Sequence, residues 1–391
     1  MSKIISVLAL STLFPLIGAL GCGSEAGVSP EQGPPSSGLA QPPGNTADPA
    51  LPGSVSVQLV DGPLDRFKEV NIEVQKVEIN DAMGGWTEIG APNKIINLLA
   101  LRDGASEHLG SAQLSAGSYP GVRFMLGMNN SVRLADDSTH PLKVPSAQQS
   151  GIKVMFDLNV QDGDSKELFL DFDVAESIHM VAAGHSNQFL LRPLLHAVEK
   201  TQSGTISGRL SDSISGEPLA DAVVYAETRD AQGQPLIVRR VLSNSEGKYK
   251  LDLLPLGSDY VVVSQPLVSG ASYEAKASAP LPLRALAASA TFDAQFTPSL
   301  AVGSMQVQVT PMASEQQGDT CFLLQGDGSS AVIVRSDVTI QDGQEQVQFE
   351  QLPAGSYSVQ CVRRSTASQA ASQLAPVAVG AAMTRSVQVS F

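Results

Sequence analysis

From Val55 onward, apolar residues return at every second position, a period that sheets use and helices do not. Val55, Val57 and Leu59 alternate with polar neighbours, as do Val70, Ile72 and Val74, then Leu168, Leu170 and Phe172. The same rule holds for Phe292, Ala294 and Phe296, for Met305, Val307 and Val309, for Tyr357, Val359 and Cys361, and for Val387, Val389 and Phe391. Successive side chains of a strand point to opposite faces, so each triplet is the inward face of a half-buried strand. Turn dipeptides punctuate the runs at Asp61-Gly62, Asp103-Gly104, Asp162-Gly163, Asp327-Gly328 and Asp342-Gly343. No stretch carries the period of a long amphipathic helix, and Ile95 to Leu101 has room for one short helical turn. The phase slips between Val74 and Val77, which predicts a bulge near Gln75-Lys76. Many short strands with Gly-rich turns predict an all-β chain of tandem antiparallel β-sandwiches.

One phrase recurs. Leu114-Ser-Ala-Gly-Ser-Tyr119, Leu254-Pro-Leu-Gly-Ser-Asp-Tyr260 and Leu352-Pro-Ala-Gly-Ser-Tyr357 share a Leu-x-x-Gly-Ser-(x)-Tyr core, and each precedes a strand. A turn that needs Gly for positive φ accounts for the first half. A Tyr whose ring packs inward while its hydroxyl reaches a partner at the rim accounts for the second. Three copies predict three sandwiches.

The first fifty residues follow a different logic. Lys3 precedes an apolar run from Ile4 to Leu20, interrupted by Pro15 and Gly18, which ends in small residues directly before Cys22. This is the pattern of a secretory signal, residues 1–21, removed from the mature protein. A membrane-spanning helix wants ~20 apolar residues and few breakers. Residues 23–52 hold Pro30, Pro34, Pro35, Pro42, Pro43, Pro49 and Pro52 and almost no large apolar side chains. Such a segment cannot offset its ordering entropy, so 22–53 is predicted to be a disordered, Pro-stiffened linker.

Ala19-Leu20-Gly21-Cys22 resembles the lipobox of bacterial lipoproteins, with Ala19 where Leu is usual and Leu20 where a small residue is usual. The resemblance implies that the Cys22 thiol takes a diacylglycerol group and becomes the new N-terminus. One acyl chain holds a protein marginally, at about 0.8 kcal/mol per buried CH₂, whereas two or more hold it stably. Triacylated Cys22 would therefore tether the chain to the lipid bilayer. Gly23 follows it rather than Asp, which in that family implies the outer membrane, facing either the periplasm or the cell surface.

Two later stretches resemble domain families. Val57-Gln-Leu-Val-Asp-Gly-Pro63, Ile96-Asn-Leu-Leu-Ala-Leu101, Leu114 to Phe124, Leu170-Asp-Phe-Asp-Val174 and Leu190-Leu-Arg-Pro193 resemble, in that order, domain of unknown function 4382, found in bacterial lipoproteins. That resemblance implies export and no assigned activity. Ile206-Ser-Gly-Arg-Leu210, Gly216 to Val224, Ser243-Asn-Ser-Glu-Gly-Lys-Tyr249 and Leu254-Pro-Leu-Gly257 resemble the carboxypeptidase regulatory-like module, with Asn244 where Asp is usual. It implies a prealbumin-like sandwich that serves as spacer or binding support. The expected domains are 54–199, 203–298 and a third sandwich, 300–391, identified by pattern alone.

Composition narrows the function. The formal net charge is −14 with no Lys/Arg cluster, whereas nucleic-acid binding needs a basic footprint. Exported proteins meet an oxidising compartment. With Cys22 committed to lipid, Cys321 and Cys361 are predicted to form a disulfide, the alternative being two buried thiols.

Catalytic patterns are scarce. Gly184-His-Ser186 lacks the final Gly of a nucleophile elbow. Ser245-Glu-Gly-Lys248 falls in a turn of the regulatory-like module rather than on a helix. The five histidines, His108, His140, His179, His185 and His196, show no zinc spacing, though His179 and His185 could meet in space. Asp162-Gly-Asp164-Ser-Lys-Glu167 departs from a calcium loop, with Lys166 where a ligand belongs. Asp171 and Asp173 stand out. Two apart on a strand, both should face solvent while Phe172 packs inside. There they would be solvated or pair with Arg123 or Arg192, or else hold a cation such as Ca²⁺. Trp86 is the single tryptophan, a thin basis for a sugar-stacking surface.

The sequence therefore reads as a non-catalytic binding or structural lipoprotein of the cell envelope, without cofactor unless Asp171 and Asp173 hold Ca²⁺. Its partner would be an envelope or extracellular protein or a glycan. Two other readings stay open: a metal-dependent envelope hydrolase using Asp171, Asp173 and a histidine, and a periplasmic accessory subunit of an envelope complex.

Overall fold

The inward triplets build faces, and the faces pair into three sandwiches. The structure, a computed structural model, describes residues 51–61, 67–101, 104–144, 151–183, 186–310, 318–341, 345–364 and 369–391. The signal, Cys22 and the linker up to residue 50 lie outside the described residues. In the first sandwich, Val55, Val57 and Leu59 are fully buried on Gly53–Asp61. That strand runs parallel to Ser165–Phe172 and antiparallel to Glu107–Leu114, and Leu195–Glu199 completes a four-stranded sheet. The second sheet is built around the 14-residue strand Phe67–Asn80, which pairs with Gly117–Leu126, Ser131–Leu134, Trp86–Gly90 and Lys94–Asn97. Its register against Gly117–Leu126 shifts between Val74 and Lys76, the expected bulge, so Val74 and Val77 both stay in the core. The expected helical turn shrinks to Leu98–Ala100, because Lys94–Asn97 pairs as a strand. Asn97 divides the two. Its side-chain oxygen accepts from the N–H groups of Leu99 and Val70, each at 3.2 Å, and so caps the turn.

The second sandwich sets Ser203–Asp212 between Lys248–Pro255 and the short strands Ser289–Thr291 and Ala294–Phe296. Its other sheet has Val223–Arg229 between Pro235–Leu242 and Ser258–Ser264. The third sets Val302–Thr310 between Glu345–Pro353 and Thr384–Ser390. There the opposing sheet runs Val332–Val338, Gly318–Gln325, Gly355–Arg364, Gln369–Val379. Antiparallel pairs dominate, and in each sandwich the first strand also lies parallel to a late one. A parallel partner cannot come from a tight hairpin, so the chain must cross the sandwich before it returns.

The repeated phrase marks that crossing. In each copy the Leu ends or lies within a strand of one sheet, and the Tyr is the third residue of a strand of the other. The hydroxyl of Tyr119 donates to the carbonyl of Ser115 at 2.9 Å, that of Tyr260 to Pro255 at 2.6 Å, and that of Tyr357 to Pro353 at 2.8 Å. The acceptor is each time the residue after the Leu. The rings are buried, so one residue fills the core and ties off the corner. The glycine expectation holds once: Gly257 has φ +96, but Gly117 and Gly355 do not need the left-handed region. In the second and third copies the residue before the Leu also takes it, Leu253 at φ 60 and Gln351 at φ 54. Tyr357→Phe should cost about 1–2 kcal/mol, because it strands the buried Pro353 carbonyl. Urea unfolding checks this, and an unchanged midpoint would contradict it.

The three sandwiches do not hang as beads. Ile340–Gln341 of the third pairs parallel with Ile178–Ala183 of the first, which joins them into one continuous sheet. Val263 of the second belongs to the core of the third. Ile237 of the second packs on a cluster that includes Phe322, Leu324 and Ile333. Among the described residues, no helix is long and apolar enough to cross a membrane.

Candidate functional site

Ser165–Phe172 carries Asp171, and both faces of this strand are covered. Leu168, Leu170 and Phe172 fill the core of the first sandwich, as their period predicts. The opposite face turns to the second sandwich, so Phe169 and Asp171 are buried as well. Asp171 therefore does not face solvent. Its carboxylate pairs with Arg239 of Pro235–Leu242, rather than with Arg123 or Arg192. Burial raises the Asp171 pKa, and the Arg239 guanidinium partly opposes the shift. Asp173 does not share that face either. The strand ends at Phe172, and Asp173 accepts from the Glu176 N–H at 3.0 Å as N-cap of the helical turn Val174–Ser177.

The other sequence candidates are dispersed. Arg123 pairs with Glu78 and lies 4.4 Å from the Trp86 ring centroid. His179 is buried, His185 lies outside the described residues, and His196 is the exposed cross-strand neighbour of Asp171. Lys166 pairs with Glu199 at 3.0 Å, and Asp164 accepts from the Gln161 N–H at 2.9 Å. Asn244 accepts from the N–H groups of Glu246 and Lys248, which is the turn role its sequence position implies. Among the described residues, no three His, Cys, Asp or Glu side chains gather as a metal-holding group. With Asp171 engaged by Arg239, calcium and a chelator are expected to leave the melting temperature equally unchanged. A calcium-dependent rise abolished by Asp171→Asn would contradict this.

Cys321 and Cys361 do meet. They sit opposite one another on Gly318–Gln325 and Gly355–Arg364, fully buried and joined by a disulfide.

The charged groups that sequence reasoning missed lie at the seams. Glu227 of the second sandwich is 1% exposed and accepts from the Ile333 N–H of the third, with both oxygens at 3.1 Å. Burial pushes its pKa up to about 8, against the pull of that hydrogen bond. Gln265 of the second sandwich donates to the Tyr357 hydroxyl at 3.2 Å and accepts from Arg335 at 3.0 Å. Within the third sandwich, Arg363 grips Asp319 with two hydrogen bonds of 2.8 and 2.6 Å and reaches Glu345 at 3.4 Å. Arg192 of the first sandwich is drawn toward the same carboxylates, while burial lowers its pKa to about 10. One sequence signal could have found these groups: a carboxylate interrupting or abutting an apolar run, as in Val223-Val-Tyr-Ala-Glu227 and Asp319-Thr-Cys-Phe-Leu-Leu324.

Two cavities remain among the described residues' best-formed hollows. One of about 330 Å³ lies where the three sandwiches meet, beside Glu176, Arg240 and Arg335. The other, about 960 Å³, is a cleft between the first and second sandwiches, with Phe169 and Lys200 on one wall and Thr205, Lys250 and Arg239 on the other.

Comparison with known proteins agrees with the two resemblances read from the sequence. Residues 52–193 match the family model described as domain of unknown function DUF4382, and residues 205–285 match the carboxypeptidase regulatory-like domain. No curated protein matches the chain. Among solved structures, the Bacillus anthracis TIE protein shares 12% identity over 87% of this chain and 51% of its own, with a TM-score of 0.22. This chain thus spans about half the length of that protein. A Streptococcal ancillary pilin shares 10% identity over 86% of this chain and 98% of its own, with a TM-score of 0.21. Shaft pilin SpaA from Lactobacillus rhamnosus GG shares 10% identity over 49% of this chain and 97% of its own, with a TM-score of 0.19.

Proposed function

We propose that this chain, a DUF4382 domain followed by a carboxypeptidase regulatory-like domain and a third sandwich, is a non-catalytic binding or structural module of the cell envelope. It is held at the outer membrane through acylated Cys22 and stands off the bilayer on residues 23–52. One observation carries the non-catalytic part. The buried carboxylates and guanidiniums that could do chemistry are spent on ties within and between sandwiches: Asp171 on Arg239, Glu227 on the Ile333 N–H, Asp319 on Arg363. The hydrolase alternative needs Asp171 and Asp173 on one open face, whereas Asp171 is buried and Asp173 caps the helical turn that follows the strand. Neither matched family model is described as a catalytic domain.

The test is protease shaving of intact cells that make a C-terminally tagged chain, with a periplasmic control. Loss of the tag while the control survives would put the sandwiches outside, where extracellular ligands are the partners to seek. Protection that is lost on permeabilising would put them in the periplasm and favour the accessory-subunit role. A tag found only in the cytosol would overturn the envelope reading.

A further inference from the structure

We propose that the cleft between the first and second sandwiches is a binding site for a neutral saccharide. This rests on the binding-module reading above and names its ligand class. At about 960 Å³ the cleft lies at the upper end of the range for ligand-binding clefts. The strand period explains its chemistry. Ser203, Thr205 and Ser207 share the outward face of Ser203–Asp212, and Lys248, Lys250 and Asp252 share that of the neighbouring Lys248–Pro255. All six side chains line the cleft, which gives one wall a row of donors and acceptors. Val60 and Phe169, each under a tenth exposed, close the cleft on the side of the first sandwich.

The charges select against an ion. Each cation at the cleft is already matched: Lys250 by Asp252, Lys248 by Glu246 and Lys200 by Glu167, each at 2.6 Å, and Arg239 by Asp171. A charged ligand would meet a like charge beside each opposite one. A hydroxyl both donates and accepts, so it can join a pair without displacing either member. Arg239 also lines the cleft; its side chain is only 10% exposed, and its Nε has no hydrogen-bond partner. That N–H lacks an acceptor, and buried polar groups rarely stay unsatisfied. A ligand hydroxyl supplies one.

The experiment uses the full-length chain in detergent micelles, probed by saturation-transfer NMR and calorimetry. The probes are maltotriose, chitotriose and mannotriose, with trigalacturonate as the charged comparator. At least one neutral trisaccharide should bind, and trigalacturonate should bind at least about tenfold more weakly than it. Thr205→Val, at a half-buried position, and Lys250→Ala, at an exposed one, should each weaken binding about tenfold at unchanged melting temperature. Ser207→Trp, which fills the cleft, should abolish it. The proposal is overturned if no neutral trisaccharide binds at millimolar concentration, if Ser207→Trp leaves binding intact, or if trigalacturonate binds as tightly. Membrane fractionation read in parallel separates the two failures. An anchored chain that binds no trisaccharide sinks this site alone, whereas a sugar-binding chain absent from the membrane fraction sinks the anchoring alone.

Discussion

Replacing Cys321 and Cys361 together by alanine is expected to cost about 4 kcal/mol of unfolding free energy, measured by urea titration of the oxidised protein. The two cysteines are 40 residues apart, and a cross-link of that span removes a large loop-closure entropy from the unfolded chain. The enclosed segment holds Val332–Val338 and Glu345–Pro353, so the bridge restrains strands of both sheets of the third sandwich. Both sulfurs are fully buried, so reductant added to the folded protein should act only as fast as the third sandwich opens. A loss under about 1 kcal/mol would mean that the unfolded chain is not restrained as the entropy argument requires. Two alkylatable thiols in the unreduced, unfolded protein would remove the bridge altogether.

Glu227→Gln should stabilise the protein above neutral pH. The Glu227 carboxyl has a pKa of about 8 in the fold, because burial penalises its charge. In the unfolded chain it titrates at the ordinary glutamate value. The folded state therefore holds this proton more tightly. Its contribution is fully present below the unfolded pKa and is lost as pH rises toward 8, after which it is flat. The lost stability is on the order of 4 kcal/mol across that window. Glutamine keeps an oxygen to accept from the Ile333 N–H and never ionises. The variant and wild type should thus be nearly equal at pH 5 and diverge by a few kcal/mol at pH 8.5, with the variant more stable. Burial also raises the pKa of Asp171 and of Asp319, so both add to the slope in each protein, and the difference between the two curves isolates Glu227. Parallel curves would show that the seam between the second and third sandwiches admits water to this carboxylate.

The sequence exposed what is local and periodic. Alternation found the core positions Val55, Leu170 and Met305, and the slip from Val74 to Val77 found the bulge. The three tyrosine phrases found the corners, because one residue type must both fill the core and reach a carbonyl a few residues back. The disulfide followed from the expected oxidising export, with Cys22 set aside for lipid. Asp171 was misread for a reason the period cannot carry. Alternation says which side chains leave the core of their own sandwich, but not whether a second sandwich covers them. Asp173 was misread because a strand's last residue is set by capping, here by the Glu176 N–H. Glu227 went unnoticed, and Arg192 was given the wrong partner, for the same cause as Asp171: their neighbours belong to another sandwich, more than 100 residues away along the chain in the case of Glu227 and Ile333. Corner geometry escaped in part, since Leu253 and Gln351 take a left-handed backbone that Gly would adopt more cheaply.

The most direct test of an envelope module on a lipid tether is acylation of Cys22. Cells making the full chain are fed an alkyne-tagged palmitate, and the immunopurified protein is read for label and for membrane fraction. Wild type should carry the label and sediment with the outer membrane, and Cys22→Ser should lose the label and appear in the soluble fraction with its fold intact. An unlabelled wild-type chain, or a Cys22→Ser chain that keeps its label and its membrane fraction, would contradict the tether and with it the place where this protein works.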